Sequence, residues 1–247
     1  MNKTDPNQPS RLPDDFPSEV LEDLGNMPNY NGWIVDHFSP FLHGRTVEIG
    51  AGLGTIAEHL RGYVDHLDLV EPTPELARRL SEKFMTDTGV QVYGKTLEKW
   101  LEGTEPHTFD NIIMVNVLEH IKDDFAAARG LYEVLKTGGR LLIFVPALPF
   151  LYSQLDKNYG HYRRYTKRSL HECAAAAGFE IEKLHFVDIA GTLPWWLLNT
   201  VLGKTTFHAP SLQFYDKFVV PVTRTCESIL RPPFGKNLIL SARRAST

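Results

Sequence analysis

Residues 47–54 read Val47-Glu48-Ile49-Gly50-Ala51-Gly52-Leu53-Gly54, and the next apolar run, His66-Leu67-Asp68-Leu69-Val70, closes on a second acid, Glu71. An apolar run that ends in closely spaced glycines predicts a strand stopping at residue 49, a sharp turn, and a helix over about 55–61 whose free N–H groups face a ligand. Side chains would block that approach. Gly50, Gly52 and Gly54 leave the backbone bare, and the helix N-terminus favours an anionic group such as a carboxylate. Glu71, about twenty residues after the first glycine at the end of the next strand, is placed to accept hydrogen bonds from two ribose hydroxyls. Glu48, just ahead of the loop, can meet a cationic amino group or order the turn. The pairing points to a nucleotide-type cofactor.

Working outward, strands and helices alternate: strand 45–49, helix 55–61, strand 66–70, helix 74–86, strand 90–93, helix 96–102, strand 110–115, helix 123–135, strand 140–145. Such alternation predicts right-handed crossovers and an α/β fold with a doubly wound, mostly parallel sheet. Thr166 then caps a helix through Ala177, Gly178 ends it, and strands near 179–187 and 236–243 complete a seven-stranded sheet. Residues 28–43 form an aromatic-rich helical segment ahead of the first strand. Residues 1–27 are expected as a flexible arm, polar and Pro-rich over 1–18, and 28–247 as a single domain. Two stretches, about 147–165 and 191–234, break the rhythm and are expected to be inserts that form a substrate lid, because ligands in open α/β sheets bind outside the carboxyl ends of the strands.

The glycine loop has two readings. A nicotinamide enzyme would show G-x-G-x-x-G, which requires glycine where Thr55 stands. The run instead resembles motif I, E/D-x-G-x-G-x-G, of the class I S-adenosylmethionine-dependent methyltransferases. Phe109-Asp110-Asn111-Ile112-Ile113-Met114-Val115-Asn116-Val117-Leu118-Glu119-His120 resembles that family's fourth strand and following loop, and Leu135-Lys136-Thr137-Gly138-Gly139-Arg140-Leu141-Leu142-Ile143 its "L-K-P-G-G" turn into the fifth strand. The resemblance covers roughly residues 45–190 and implies a Rossmann-like sheet with S-adenosylmethionine as cofactor. It assigns Glu48, Gly50, Gly52, Gly54, Glu71 and Asn116 to the cofactor, together with Thr96 and Leu97 near the adenine and Tyr30 from the helical segment. One departure stands out: Lys95 occupies the position where the family usually offers the adenine an acid. At a finer level, Gly160–Tyr165 and the Trp195-Trp196 to Phe234-Gly235 region are similar to small bacterial methyltransferases of the type-11 and type-12-like group, often tied to glycan, lipid-linked sugar or secondary-metabolite pathways.

A sulfonium methyl is already a strong electrophile, so the protein mainly has to hold an acceptor in line, exclude water and, for a hydroxyl, take a proton. No metal is required. The candidate bases are His161, in the first insert, and His120, which relatives carry in the same Leu-Glu-His run as a wall of the cofactor site. Tyr162, Arg163, Arg164 and Tyr165 concentrate groups suited to a carboxylate or phosphate and are expected to bind substrate. Trp33 and Trp195 are expected beside it. The apolar run around Trp195-Trp196-Leu197-Leu198 is too short to span a bilayer; it reads as packing on its own domain, a substrate lid, a subunit contact or a peripheral membrane patch.

Composition agrees with one compact enzyme: 247 residues, 43% hydrophobic and 23% charged, can bury a full core. The net charge of −4 gives no reason to expect nucleic acid as a partner. Cys173 and Cys226 match no metal or redox spacing. Residues 1–19 hold charges and prolines without an apolar core, so no signal peptide is expected and the compartment reads as cytoplasmic. The sequence therefore predicts methyl transfer from S-adenosylmethionine to a small or lipid-linked acceptor bearing an anionic group, oxygen favoured over nitrogen or carbon. A non-catalytic cofactor-binding or scaffold protein and, further off, a nicotinamide-dependent oxidoreductase are the alternatives.

Overall fold

The computed structural model describes residues 22, 25–206 and 209–245. Seven strands form one sheet in the order β3-β2-β1-β4-β5-β7-β6: β1 Arg45–Ile49, β2 His66–Val70, β3 Val90–Tyr93, β4 Phe109–Val115, β5 Leu135–Pro146, β6 Phe179–Val187 and β7 Asn237–Arg244. The first five run parallel, while β7 inserts antiparallel between β5 and β6. The strand order reverses between β1 and β4, which opens a crevice at their carboxyl ends. Helices α1 Pro28–Phe38, α2 Thr55–Leu60, α3 Pro74–Lys83, α4 Leu97–Glu102, α5 Asp124–Val134, α6 Gln154–Asn158, α7 Lys167–Ala176 and α8 Ile189–Trp195 follow in chain order.

Alternation along each central strand divides the core into two layers. Ile112 and Met114 of β4 and Leu141, Ile143 and Val145 of β5 pack on one face. Ile113, Leu142 and Phe144 pack on the other, against Trp33, Ile34, Val35 and Phe38 of α1. The element boundaries follow local chemistry. Pro40 ends α1 early, so the expected helix over 28–43 becomes α1 plus a short 3-10 turn, Ser39–Phe41. The Asp123 side chain accepts from Ala126 N at 2.9 Å and starts α5. The Thr166 hydroxyl accepts from Ser169 N at 3.0 Å and starts α7. β5 begins at Leu135 rather than 140, because pairing with β4 is made at Phe109 and resumes at Asn111 across the Gly138-Gly139 turn.

Most of the arm anticipated over 1–27 lies outside the described residues. Its last part belongs to the domain: Met27 is buried, and Gly25 and Met27 line the cavity described below.

Besides its ladder with β5, the last strand is tied to the end of α5 by one side chain. Arg244 donates from Nη1 to the carbonyls of Tyr132 at 2.6 Å, Glu133 at 2.9 Å and Leu135 at 2.9 Å, satisfying the C-terminal carbonyls of α5. Arg244→Met should lower unfolding free energy by about 1–3 kcal/mol, read by chemical denaturation, with an unchanged slope. A variant as stable as the parent would mean that water replaces these bonds at no cost.

Candidate active site

The three glycines of the loop after β1 serve different ends. All three have positive φ, of 74° at Gly50, 55° at Gly52 and 74° at Gly54. A Cβ on Gly50 would lie 2.4 Å from Val117 Cγ2, and one on Gly54 would lie 2.6 Å from Leu80 Cδ1. Those two allow close packing. At Gly52 a Cβ would meet nothing within 4 Å. It would project into a cavity of about 800 Å³ that the loop helps to line.

Two buried carboxylates flank that loop on adjacent strands. Glu71 accepts from Gly52 N and Thr73 N, each at 2.9 Å, so it shapes the turn while facing the cavity. Burial raises its pKa, and those amide bonds oppose the rise. Glu48 is equally buried, its Oε2 has no hydrogen-bond partner, and burial together with the charge of Glu71 pushes its pKa up to about 8. A buried carboxylate without a partner, facing a cavity, calls for a cation.

The cavity continues past Leu97, Val115, Asn116 and Val117 to His120 and His161. Asn116 is held at φ 53°, its amide on Phe144 O at 2.8 Å, where β4 ends. The His120 and His161 rings stand edge to face with centroids 4.6 Å apart. Burial first, and His161 second, lower the His120 pKa to about 3, so this ring is neutral at physiological pH and Nδ1 has no partner.

His161 is oriented instead. Its Nδ1 lies 2.9 Å from Asp156 Oδ1, and its Nε2 lies 4.0 Å from Glu119 Oε1. Asp156 also takes Arg164 Nε at 2.9 Å and the Ser153 amide at 2.8 Å. Burial pushes its pKa up, but the bonds from His161 and Ser153 and the Arg164 charge outweigh this and hold it below the usual carboxylate range. Burial raises the Glu119 pKa to about 7, and neither of its oxygens has a hydrogen-bond partner. Glu119, His120 and His161 each offer a ligand atom within 4.8 Å of the others, a grouping that could hold a metal ion.

The far wall comes from the second insert. Asp188, at the end of β6 with φ 64°, accepts from Tyr30 Oη at 2.9 Å, Gly191 N at 3.0 Å and Lys236 Nζ at 3.0 Å, and also from the Tyr215 hydroxyl. Two cations approach the Trp195 ring, with Arg164 at 4.4 Å and Lys236 at 5.6 Å from its centroid.

Of the residues expected from the sequence, Tyr30, Glu48, Gly50, Gly52, Glu71, Leu97, Asn116, His120, His161, Arg164 and Trp195 line this one cavity. Others do not. Gly54 packs under α3. Thr96 is spent as the N-cap of α4, accepting from Lys99 N. Trp33 is buried in the core beneath α1. Arg163 turns away to Asp124 at 2.6 Å, the same carboxylate that takes the buried Tyr165 hydroxyl at 2.8 Å, and Tyr162 points to solvent. Sequence reasoning missed Asp156, Asp188, Tyr215 and Lys236. An acid five positions before His161 was the available hint for Asp156; nothing local marks the other three.

The family described as methyltransferase domain matches residues 24–184, about two thirds of the chain, and the protein is a member of it. The chain is 27% identical over 169 residues to the ubiquinone biosynthesis O-methyltransferase of Xanthomonas euvesicatoria pv. vesicatoria (strain 85-10), covering 61% of this chain and 67% of that protein. A namesake from Xylella fastidiosa (strain 9a5c) is 30% identical over 105 residues, 42% of each chain. Haemonchus contortus phosphoethanolamine N-methyltransferase 2, solved with S-adenosyl-L-methionine, superposes with a TM-score of 0.62 at 20% identity, over 88% of this chain and 53% of that one. A Leishmania major SAM-dependent methyltransferase superposes with a TM-score of 0.62 at 14% identity, over 93% and 79%. The chain is a class I S-adenosylmethionine-dependent methyltransferase, as the motif resemblance implied.

Glu48 gives the site a pH signature. With its pKa near 8 in the free protein, it is protonated at pH 7, and a ligand ammonium beside it favours the ionised form. Binding of S-adenosylhomocysteine should therefore release a proton, and its affinity should rise by up to about tenfold per pH unit toward pH 8 and then level off. Calorimetry in buffers of different ionisation enthalpy reads this directly. Glu48→Gln should abolish the proton release; a wild-type profile in that variant would remove Glu48 from the site.

Proposed function

We propose that the protein transfers the methyl group of S-adenosylmethionine to an oxygen of a small or lipid-linked acceptor that carries an anionic group. The observation behind this reading is that one cavity joins the glycine loop and its two acids to an Asp156–His161 pair. Glu48 is proposed to hold the cofactor's ammonium and Glu71 its ribose hydroxyls, while the bare backbone at Gly52 lets the methionine part approach. Leu97 and a backbone carbonyl are left for the adenine, since Lys95 offers no acceptor and Thr96 is used as a cap. Bound there, the cofactor supplies an electrophilic methyl on a cationic sulfur.

The remaining work falls to this chain's own side chains. Ionised Asp156 fixes the His161 tautomer by accepting from Nδ1, which leaves Nε2 free to take the acceptor's hydroxyl proton. His120, too weakly basic to hold a proton, forms the wall behind it. The Lys236 ammonium has three donors and gives one to Asp188, so it and the Trp195 face offer an anionic, partly aromatic acceptor a place to rest. The O-methyltransferase relatives support an oxygen acceptor.

Incubation with methyl-labelled cofactor and anion-bearing phenols, followed by mass spectrometry, tests the reaction class. His161→Ala should lower kcat by roughly 10²–10⁴ and remove the acid limb of the pH–rate profile, with S-adenosylhomocysteine affinity unchanged. Asp156→Asn, which withdraws the negative charge from the ring, should shift that limb to lower pH. A His161→Ala enzyme that keeps its acid limb would assign the proton transfer elsewhere.

A further inference from the structure

The segment beyond the family match carries a helix with large apolar side chains on its exposed side. Ala209–Phe214, a π-turn at Tyr215–Val219 and Val220–Ile229 run on as one helix about 30 Å long. Its buried side mixes Val220 (0% exposed), which joins the core, with Asp216 (4%), Thr223 (6%) and Glu227 (9%). Asp216 accepts from the amides of Asn29 and Tyr30, and Glu227 from those of Asp188 and Ile189. Its outer side carries Phe214 (61% exposed), Phe218 (54%), Val222 (63%) and Ile229 (83%), spaced along one stripe. A helix facing water has the opposite arrangement. Trp196, Leu197, Val201 and Leu202 of the preceding turns are likewise exposed.

Charge decides what covers this face. Among the described residues of 191–235 both acids, Asp216 and Glu227, are buried, whereas Lys204, Lys217, Arg224 and Arg231 are all exposed. Only Arg224 has an acid partner, Asp36 at 2.6 Å. In a protein of net charge −4 this face is apolar and cationic. A two-fold contact between copies would bring together the unpaired Lys204, Lys217 and Arg231 of each, whereas an anionic lipid surface supplies both an apolar layer and the countercharge. No helix among the described residues is long and apolar enough to cross a membrane, so the stripe would lie in the interface plane. The same segment helps to line the cavity, through Pro194, Leu198, Lys204, Thr206 and Ser211.

We propose that the 193–231 face docks the protein on anionic bilayers, with the cavity mouth turned toward the lipid. The proposal stands apart from the acceptor's identity and from methyl transfer itself. The full chain should sediment with vesicles of phosphatidylcholine mixed with phosphatidylglycerol, and at least tenfold less with phosphatidylcholine alone, the difference shrinking as salt is raised. Phe218→Ser combined with Val222→Ser should weaken vesicle binding about tenfold or more. Lys217→Glu combined with Arg231→Glu should abolish the preference for anionic lipid. Both double variants alter exposed positions and should keep wild-type thermal stability and S-adenosylhomocysteine affinity. Since the vesicles hold no acceptor, failure of the methyl-transfer reading leaves this result intact. Equal sedimentation with both lipids, or none with either, would overturn the proposal. So would a concentration-dependent dimer that the Phe218 and Val222 changes dissociate, which would make the face a subunit contact.

Discussion

Two carboxylates buried side by side at the ends of β1 and β2 set the terms for the rest of the molecule. Glu71 is neutral in hydrogen-bonding terms, because the Gly52 and Thr73 amides answer it. Glu48 is not answered by any side chain and is held protonated near neutral pH by burial and by its neighbour. Such an arrangement is costly for an empty fold and favourable once a cation arrives. These acids are brought together by parallel register, a switch point between β1 and β4, and a turn built on three glycines of positive φ.

The two inserts depend on two more buried acids, one anchoring each. Asp156 gathers His161, Arg164 and Ser153 and so converts a loop of poor regularity into a rigid wall. Asp188 does the same for Tyr30, Tyr215 and Lys236, joining α1 to the second insert. Removing one partner from a buried ionic cluster strands the others, at a typical cost of about 3–5 kcal/mol, which makes these inserts part of the domain rather than loose lids. Trp195, in contact with both Arg164 and Lys236, is where the two clusters meet.

The parallel sheet was legible because its signals are local. Strand ends followed by glycine, caps such as Asp123 and Thr166, and the period of the apolar residues each act within a few positions. The glycine-loop end of the cavity shared that legibility, since motif I brings Glu48, the glycines and Glu71 together by chain proximity and one crossover. The end formed by the inserts did not. His161-Tyr162-Arg163-Arg164-Tyr165 reads as one basic patch, yet neighbouring residues in an irregular segment point in different directions, so Arg164 reaches the cavity while Arg163 reaches Asp124. Lys236 is brought to the cavity by a helical excursion of some forty residues whose exposed apolar side chains no periodicity rule would assign to a domain surface. Trp33 and Gly54 read as ligand contacts in the sequence because aromatic and glycine residues serve packing and binding alike; in the fold Trp33 joins the core cluster of Phe38, and Gly54 packs against Leu80.

The central claim is that the open space over Gly52 belongs to the cofactor. Titration of S-adenosylhomocysteine into the wild-type chain and into Gly52→Val tests it most directly. A Cβ there meets no protein atom, and strain from its positive φ is about 1–2 kcal/mol, so the variant should remain folded by circular dichroism. The account predicts saturable one-to-one binding to the wild type and none to the folded variant. Wild-type affinity in Gly52→Val would contradict it, reducing the loop to a tight turn and sending the cofactor elsewhere.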